Sequence, residues 1–538
     1  MEEILSKKTG KKIILLGNEA IVRGALESGV QFVSTYPGTP ASEIGDTFYK
    51  LFKQQKTNFY FEFSTNEKVA LEAGVGASFS GLKTLVAMKY FGLNVCSDSL
   101  MPFLYTGSKG PTVIVVADDP SCHSSAQSEQ NSRFYSHLAH IPTLEPSDPQ
   151  ECKDFLKLGF ELSEKFKIPV LIRTTTRVAH QRAPVKLSTL SRNVLVKGKF
   201  VKDPKKFVTM PPRVLEQKKE LFEKIRKIKK FSERSKINKI NRDPISINQV
   251  GIITSGVSYL YVKEALREFN LSLPILKLGF FYPLAEEKIK NFIKKLKKVL
   301  VVEELEPLLE REIQRFAKDV NPKLQIFGKN VLPEVGEIRP EYVFEAVARL
   351  TGKKVKIKKL KLPEFPRRLP SLCPGCPYWL VFSAVKKVAP KNTIFGGDIG
   401  CYMLAGFPPH NIQDYLSCMG SSIGIGHGIK KAAGQKLIAF IGDSTFFHAG
   451  IPALINCLVN KSNPLIIVMD NQTTAMTGHQ PHPGRVIKIE DVVKACGVKN
   501  LKVIDPIKIR ELEETIKKFL EKREVSVIVA RRRCIFVK

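Results

Sequence analysis

The distribution of hydrophobic residues predicts an α/β protein built on parallel sheets. In the first 185 residues, short apolar runs closed by turn residues alternate with stretches of helical periodicity. Strands that are apolar along their whole length and are separated by helices are typical of parallel sheets covered on both faces. The same pattern recurs in the middle and at the end of the chain. The clearest apolar runs are residues 12–17, 31–36, 84–88, 112–117, 249–256, 298–304, 436–441, 464–469 and 525–530.

This pattern divides the chain into three α/β domains and a linker. Residues 189–245 lack strand patterns and are rich in lysine, which predicts a basic linker with one amphipathic helix. A proline-rich stretch, 363–370, marks another boundary. The predicted domains are therefore 1–188, 246–360 and 365–538, and the first and third share the same architecture.

The composition excludes several classes of protein. The 538 residues are 43% hydrophobic and 25% charged, which excludes a disordered chain. No apolar run reaches the roughly 18 to 20 residues of a membrane helix, and the N-terminus lacks the apolar core of a signal peptide. We therefore expect a cytoplasmic protein with no membrane association. Ten cysteines are too few for a disulfide scaffold, so a cluster among them indicates metal or redox chemistry.

The net charge of +33 is compatible with three kinds of surface. It can attract nucleic acid, it can attract acidic partners, or it can be the lysine-rich surface of a heat-stable protein. The basic linker has no nucleic-acid-binding motif and no aromatic residues interleaved for stacking on bases. A basic nucleic-acid-binding protein is therefore kept only as a second alternative.

Two loops of the third domain carry oxygen ligands at the carboxyl ends of predicted strands. Gly442-Asp443-Ser444 follows one strand, and Asp470-Asn471-Gln472-Thr473 follows the next. The two loops are separated by enough residues for one helix and one strand, which form a single βαβ crossover. We therefore expect the loops to be neighbours.

These loops have the ligand types that Mg²⁺ prefers. The Asp443 carboxylate, the Asn471 amide oxygen and the Thr473 backbone carbonyl would supply three hard oxygen ligands, and phosphate and water would supply the rest. A helix beginning at Ser444 would direct free N–H groups at the same phosphates. The alternative is a pair of turns that bind nothing.

The pairing of the loops resembles the diphosphate and magnesium motif of thiamine diphosphate enzymes, Gly-Asp-Gly followed later by Asn. Ser444 and Asp470 depart from the commonest form of that motif. Such enzymes also need a glutamate that hydrogen-bonds to the pyrimidine ring of the cofactor. The segment 66–77 resembles the helix that carries this glutamate, with Glu67 rather than Glu72 in the matching place. The alternative is an amphipathic helix with surface glutamates.

Further motifs extend the resemblance over nearly the whole chain. In this order they are similar to the large, thiamine-binding subunit of indolepyruvate:ferredoxin oxidoreductases. The resemblance implies the thiamine diphosphate-binding fold twice, pyrimidine-binding in the first domain and diphosphate-binding in the third, with a transketolase C-terminal-like domain between them. The motifs are Ser34 to Glu43, Val302 to Pro307, Leu372 to Pro377, Gly397 to Cys401 and Thr473 to Pro483.

The same resemblance implies an activity and partners. The activity is oxidative decarboxylation of an aryl 2-oxoacid to its acyl-CoA, with electrons passed to ferredoxin. The implied partners are a small β subunit, ferredoxin, coenzyme A and the 2-oxoacid. The sequence does not specify which 2-oxoacid is used.

The resemblance also implies roles for individual residues. Thr39 matches the threonine that faces the substrate, although it could form only a turn before Pro40. His479 and His482 match residues that would line the same cavity, or they are loop histidines bonded to backbone. Ile423 matches the apolar residue that bends the cofactor, or it belongs to the core.

Four cysteines form a candidate iron–sulfur site. Cys373, Cys376 and Cys401 resemble three ligands of the cofactor-proximal 4Fe-4S cluster in related oxidoreductases. A cubane needs four thiolates, so either Cys534 or Cys418 would be the fourth ligand. Zinc, or unligated thiols in a proline-rich turn, are the alternatives.

The electron path differs from the family pattern. The family's large subunit usually continues into a ferredoxin-like module with two four-cysteine runs, and this sequence has no such run. We therefore expect electrons to leave through the cluster, a separate ferredoxin subunit or a partner protein. The first alternative function is a thiamine diphosphate-dependent decarboxylase that does not oxidise its substrate.

Overall fold

The computed structural model consists of two compact units, Met1–Lys359 (the first unit) and Leu360–Lys538 (the second unit). The finer division into three domains and a linker stays a prediction. The structure describes residues 2–54, 58–191, 197–241, 249–353, 366 and 368–537.

The first unit contains a sheet of the parallel type that the apolar runs predict. Six strands from the first 188 residues form it in the order β6-β7-β5-β4-β2-β3, all parallel. The central strands are buried along their whole length, as expected where helices cover both faces. The strands of this region are β1 (Lys12–Leu16), β2 (Phe32–Thr35), β3 (Tyr60–Phe63), β4 (Thr84–Lys89), β5 (Thr112–Asp118), β6 (Thr143–Leu144), β7 (Val170–Thr175) and β8 (Arg182–Lys186).

The first apolar run forms a strand that lies outside this sheet. β1 pairs with β8 in a two-stranded antiparallel ribbon, and alternate residues of β1 face solvent. Ile14, for example, is 68% exposed. In this two-stranded ribbon only one face of β1 is buried. A continuous apolar run therefore does not guarantee that a strand lies at the centre of a sheet.

Seven helices connect these strands. α1 and α6 pack against each other, and α3 packs against α4. The helices are α1 (Gly17–Ser28), α2 (Ser42–Lys53), α3 (Glu67–Phe79), α4 (Tyr90–Thr106), α5 (Arg133–Leu138), α6 (Pro149–Phe166) and α7 (Thr176–His180).

The rest of the first unit holds the basic segment and a second sheet. The sheet order is β14-β13-β10-β11-β9, and only β9 is antiparallel to its neighbour. The elements are α8 (Pro204–Phe207), α9 (Arg213–Arg234), β9 (Lys239–Asn241), β10 (Val250–Ser255), α10 (Ser258–Glu268), β11 (Ile275–Leu278), β12 (Phe280–Tyr282), α11 (Glu286–Ile293), β13 (Lys298–Val302), α12 (Leu308–Val320), β14 (Gln325–Phe327) and α13 (Pro340–Thr351).

Two of these strands differ from the sequence prediction. β9 lies in the basic segment, where no strand is predicted, and it extends the second sheet. β12 leaves the second sheet and joins the edge of the first, where Phe280 pairs with Leu144 of β6. The basic helix α9 forms as predicted, and its Phe222 and Phe231 contact rings of the first unit. Because β12 joins the first sheet and α9 packs against rings of residues 1–188, residues 1–359 form one unit.

The second unit is a five-stranded sheet in the order β15-β16-β17-β19-β18, and every strand in it is parallel to its neighbours. A π-helical turn, Phe446–Gly450, joins α16 to α17. The elements are α14 (Tyr378–Val388), β15 (Ile394–Gly396), α15 (Ser421–Ala433), β16 (Leu437–Gly442), α16 (Asp443–Thr445), α17 (Ile451–Val459), β17 (Leu465–Asp470), α18 (Ile489–Ala495), β18 (Asn500–Ile504), α19 (Ile509–Leu520) and β19 (Ser526–Arg531).

None of the helices that the structure describes is both long enough and apolar enough to cross a bilayer.

Candidate active site

The loop that carries Thr39 lies beyond the carboxyl end of β2, at the sheet edge where open α/β sheets bind ligands. Gly38 packs on Lys89 so closely that a Cβ on Gly38 would stand 2.8 Å from the Lys89 Cβ. The Ser124 hydroxyl donates to the Thr39 carbonyl at 3.2 Å. The Thr39 and Ser42 hydroxyl oxygens are 3.3 Å apart. Thr39 is therefore held in a closely packed loop at this edge.

Glu67 begins α3 and is buried, with only 5% of its surface exposed. The Asn66 side chain caps the helix by accepting a hydrogen bond from the Val69 N–H at 2.9 Å. Glu67 packs against Gly92 of α4, where an added Cβ would approach its Cγ to 2.4 Å. Glu72 of the same helix is exposed. Of the two candidate glutamates, Glu67 is the buried one.

The junction of β4 and α4 brings the two predicted residues of the first unit to one place. Lys89 ends β4 and packs on Gly38, next to Thr39. Gly92, three positions later, packs on Glu67. Thr39 and Glu67 therefore lie on either side of the same junction.

In the second unit, the two predicted ligand loops are neighbours. β16 and β17 are adjacent parallel strands, with Gly442 opposite Met469. The Gln472 N–H donates to Asp443 Oδ2 at 2.8 Å, and the Ser444 N–H donates to Asp443 Oδ1 at 2.8 Å. Asp443 is only 3% exposed. Its carboxylate joins the two loops, and the helix begins at Asp443, one residue earlier than predicted.

Asn471 and Thr473 are buried beside this carboxylate. Asn471 Oδ1 accepts a hydrogen bond from the Thr473 N–H at 3.3 Å. Thr473 Oγ1 is buried and has no hydrogen-bond partner in the described part of the chain. Asp470 is engaged by Arg531, whose Nε lies 2.5 Å from Asp470 Oδ2. Burial and the nearby Asp443 charge raise the pKa of Asp470.

This set of atoms fits a magnesium ion with a diphosphate. The Asp443 carboxylate, the Asn471 amide oxygen and the Thr473 carbonyl are hard oxygen ligands, which Mg²⁺ takes in preference to nitrogen or sulfur. The fit rests on Asp443, Asn471 and Thr473, since Arg531 neutralises Asp470.

His482 completes the surroundings of Asp443. Its Nε2 lies 3.2 Å from Asp443 Oδ2, and both side chains are almost fully buried. Its Nδ1 accepts a hydrogen bond from the Gly484 N–H at 3.2 Å. Because Nδ1 accepts, the proton of a neutral imidazole lies on Nε2, facing Asp443. Sequence reasoning left His482 as either a cavity residue or a loop histidine bonded to backbone. Its bond with the Gly484 N–H fits the second alternative, and its proximity to Asp443 was not foreseen.

Four cysteines surround one cavity of about 230 Å³. They are Cys373, Cys376, Cys401 and Cys534, and Asn471 lines the same cavity. The Cys534 N–H donates to the Asn471 carbonyl at 3.1 Å, which joins the cavity to the magnesium loop. The alternative fourth ligand, Cys418, is exposed and is not among the residues that line this cavity.

Two of the four thiols have raised pKa values. Burial, together with the neighbouring thiols, raises the pKa of Cys376 to about 11 and the pKa of Cys401 to about 12. Within the described ranges, no three His, Cys, Asp or Glu side chains are arranged to hold one metal ion. Both a 4Fe-4S cluster and zinc take cysteine thiolates as ligands, so the four cysteines that line this cavity suit either group.

The remaining two predicted residues lie in different surroundings. His479 lines the cysteine cavity, with its Nδ1 buried and without a hydrogen-bond partner among the described residues. Ile423 is fully buried in the hydrophobic core of the second unit, in one cluster with Ile441 and Phe446. The roles of both residues in binding substrate or cofactor stay predictions.

Comparison with known proteins covers the chain from end to end. Residues 23–240 match the thiamine diphosphate-binding model of pyruvate flavodoxin/ferredoxin oxidoreductases, 244–360 match the indolepyruvate oxidoreductase domain, and 398–530 match the C-terminal binding domain of thiamine pyrophosphate enzymes. Indolepyruvate oxidoreductase subunit IorA of Methanothermobacter thermautotrophicus is 44% identical over 99% of this chain and 89% of its own length. IorA of Pyrococcus horikoshii is 43% identical over 99% of this chain and 87% of its own.

The chain belongs to the IorA family of indolepyruvate oxidoreductase subunits. It is therefore an oxidoreductase subunit, as the motifs predict. The two thiamine-binding models cover the ranges that hold Glu67 and Asp443. The 2-oxoglutarate:ferredoxin oxidoreductase of Magnetococcus marinus shares the fold, with a TM-score of 0.50 and 19% identity over 63% of this chain and 65% of that chain.

One buried acid in this IorA family member was missed by sequence reasoning. Asp398 accepts hydrogen bonds from the Gly420 N–H at 2.9 Å and from the Ser422 N–H at 3.0 Å, and so fixes the start of α15. Burial raises the pKa of Asp398 to about 6. The Gly397 to Cys401 motif contains this residue, but only its cysteine suggested a role.

Proposed function

We propose that this chain is the thiamine diphosphate-binding subunit of an enzyme that oxidatively decarboxylates aryl 2-oxoacids of the indolepyruvate type. The products would be the acyl-CoA, CO₂ and two electrons for ferredoxin. Family membership over 99% of the chain supports the reaction class. The observation that supports an oxidative reaction is the cavity lined by four cysteines. Asn471, from the predicted magnesium loop, lines the same cavity.

Each unit carries candidate residues for the cofactor. In the second unit, Asp443, Asn471 and the Thr473 carbonyl would bind Mg²⁺ and the diphosphate. In the first unit, Glu67 would hydrogen-bond to the pyrimidine ring. When bound, thiamine diphosphate supplies the electron sink that makes loss of CO₂ from a 2-oxoacid feasible.

The remaining side chains orient these groups. Gly92 leaves the space that Glu67 occupies, so the carboxyl is held in one place. The Gln472 N–H donates to the Asp443 carboxylate, and His482 Nε2 lies 3.2 Å from it. Thr39 would present its hydroxyl to the substrate at the sheet edge, next to a closely packed Gly38.

We also propose that Cys373, Cys376, Cys401 and Cys534 bind a 4Fe-4S cluster. Metal binding would deprotonate thiols whose pKa values burial has raised, and a low-polarity cavity suits a one-electron centre. The contact of Cys534 with Asn471 supports a short electron path from the cofactor. The small β subunit, ferredoxin and coenzyme A are the proposed partners, and the cytoplasm is the proposed location.

Turnover of the native complex tests the reaction. Anaerobically purified complex is mixed with indolepyruvate, coenzyme A and a viologen dye. We expect dye reduction with matching formation of the CoA ester. Release of CO₂ without dye reduction would instead identify the non-oxidative decarboxylase, and dye reduction without the ester would also contradict the proposal.

Metal analysis of cysteine variants tests the cluster. The wild-type chain should contain about four iron and four sulfide per cluster site. Cys376→Ser and Cys534→Ser should lower the iron content and the electron paramagnetic resonance signal of the reduced enzyme. Cys418→Ser is the matched control, because this exposed cysteine lies outside the cavity. Zinc in the wild type, or iron unchanged in both variants, would contradict the cluster.

A further inference from the structure

Lys89 is a buried lysine at the sheet edge that carries Thr39. It ends β4 and is only 8% exposed. Its Nζ donates one hydrogen bond, to the Ser124 carbonyl at 2.8 Å. An ammonium group has three donors, so this neutral acceptor leaves most of its capacity unused.

Lys89 forms no ion pair with any residue that the structure describes. Asp119 is the acid whose charge acts on Lys89, and its carboxylate is already satisfied by neutral donors. Asp119 Oδ2 accepts from the Ser124 N–H at 2.8 Å and from the Ser125 hydroxyl at 2.6 Å, and Oδ1 accepts from the Thr176 hydroxyl at 2.6 Å. A buried cation without a partner is unfavourable and indicates a functional site.

Lys89 and Thr39 share one neighbour. The Ser124 carbonyl accepts the hydrogen bond from Lys89, and the Ser124 hydroxyl donates to the Thr39 carbonyl. Gly38 has no room for a side chain because Lys89 fills that space. The ammonium and the threonine therefore belong to one cluster at the carboxyl ends of β2 and β4.

Aromatic rings surround the lysine. Its Nζ lies 5.1 Å from the centroid of the Phe91 ring and 5.5 Å from that of Tyr90. Ring faces attract the cation weakly, yet they cannot replace an anion. Burial lowers the pKa of Lys89 to about 8, and the facing titratable groups, Asp119 and Cys122, only partly oppose this shift. Lys89 therefore has no anionic partner among the described residues, and a ligand could supply one.

We propose that the Lys89 ammonium binds the carboxylate of the 2-oxoacid substrate, beside Thr39. This inference rests on the proposed function and deepens it, since it names the residue that recognises the acid group. The interaction forms when the substrate binds and disappears when the carboxylate leaves as CO₂. Lys89 is therefore expected to act on substrate affinity more than on the rate of later steps.

The test compares Lys89→Gln with wild type in the complete, cofactor-loaded complex. Gln keeps a donor for the Ser124 carbonyl and removes the charge. We expect the KM for phenylpyruvate to rise on the order of 10-fold to 100-fold, the effect of losing a charged hydrogen bond. The KM for coenzyme A and kcat should stay within about threefold of wild type. Lys89→Arg should recover part of the loss.

Lys83→Gln is the matched control. Lys83 precedes the same strand at its opposite end, and its Nζ likewise donates to one backbone carbonyl, that of Ser28, at 2.8 Å. Burial lowers its pKa too. This variant should keep the wild-type KM for phenylpyruvate, because the opposite edge of the sheet is not expected to contact substrate.

Inhibition by the uncharged methyl ester of phenylpyruvate separates charge recognition from general damage. The ester should inhibit Lys89→Gln and wild type equally. An unchanged KM in Lys89→Gln, or an equal loss of affinity for acid and ester, would overturn the role of Lys89 alone. Absence of turnover of any 2-oxoacid by the wild-type complex would instead overturn the proposed function, and this inference with it.

Discussion

Gly92 determines where the Glu67 carboxyl can lie. The space above its Cα is filled by Glu67, whose Cγ, carboxyl carbon and Oε1 would all lie within 3.0 Å of an added Cβ. This contact is tighter than a real side chain permits, and Glu67 is buried, so it has little room to move. A residue with no side chain thus fixes the position of the predicted catalytic acid.

We predict that Gly92→Ala weakens binding of thiamine diphosphate. The methyl group must displace Glu67, and loss of one hydrogen bond to the cofactor costs about 1 to 3 kcal/mol, which is on the order of 10-fold to 100-fold in affinity. The measurement is a calorimetric titration of the cofactor-free complex with thiamine diphosphate and Mg²⁺.

Gly76→Ala is the control for this variant. Gly76 lies on α3, the helix of Glu67, and nothing stands within 4 Å of the position of its Cβ. Alanine in a helix interior is more favourable than glycine by about 0.5 to 1 kcal/mol. Wild-type affinity in Gly76→Ala together with wild-type affinity in Gly92→Ala would show that the position of Glu67 does not matter for binding.

At the scale of elements, buried ions join the two sheets of the first unit. Arg133, on α5, bonds to both oxygens of Glu145 at 2.6 and 2.7 Å and to Glu303, after β13, at 3.3 Å. Two positive arginines hold the pKa of Glu145 down to about 2. Removing one partner of such a network leaves a buried charge without compensation.

Glu304 is the least satisfied member of this network. It is 3% exposed, and its Oε1 has no hydrogen-bond partner among the described residues. Burial raises the pKa of Glu304 to about 7 in the fold, although Arg173 and Arg133 oppose the shift. The folded protein therefore binds this proton more tightly than the unfolded chain does.

We predict that Glu304 makes the first unit less stable as pH rises from about 4.5 to about 7. The stabilisation from its proton is complete below the ordinary pKa and is lost as pH rises through the raised one. Glu304→Gln, which cannot ionise, should therefore gain stability relative to wild type by on the order of 1 to 3 kcal/mol between pH 5 and pH 8. Thermal unfolding at both pH values measures this difference.

Glu306→Gln is the control, because Glu306 lies two positions away and is exposed. Its stability should follow that of wild type at both pH values. A constant difference between Glu304→Gln and wild type would mean that Glu304 is already ionised in the fold at pH 5.

At the scale of the whole molecule, the charge of +33 is the dominant property. Exposed lysines and arginines of α9 contribute to it, whereas the phenylalanines of that helix contact the protein. The surface therefore favours long-range attraction to an anionic partner over stacking on bases.

We predict that reduction of an acidic ferredoxin slows as salt is added. Raising ionic strength from about 0.05 to 0.3 M shortens the screening length, so kcat/KM for ferredoxin should fall on the order of tenfold. Reduction of methyl viologen, a cation, is the control and should not fall. A ferredoxin rate that is constant or rises with salt would show that the basic surface does not guide the electron acceptor.

Sequence reasoning is most successful where chemistry and periodicity coincide. The apolar runs that form β4 and β5 are buried on both faces, and Asp443 and the Asn471 loop follow adjacent strands as predicted. It is less successful for short strands, since β9 and β12 are three residues each and carry no periodicity to detect.

The sequence by itself determined the strand and helix pattern, the family and the order of the ligand loops, because each depends on local residues and their spacing. The tertiary structure decided contacts that spacing left open. Cys534 rather than Cys418 lines one cavity with Cys376, His482 lies beside Asp443, and Lys89 stands beside Thr39 with no ion-pair partner among the described residues. Such contacts arise from packing between elements, which no local pattern records.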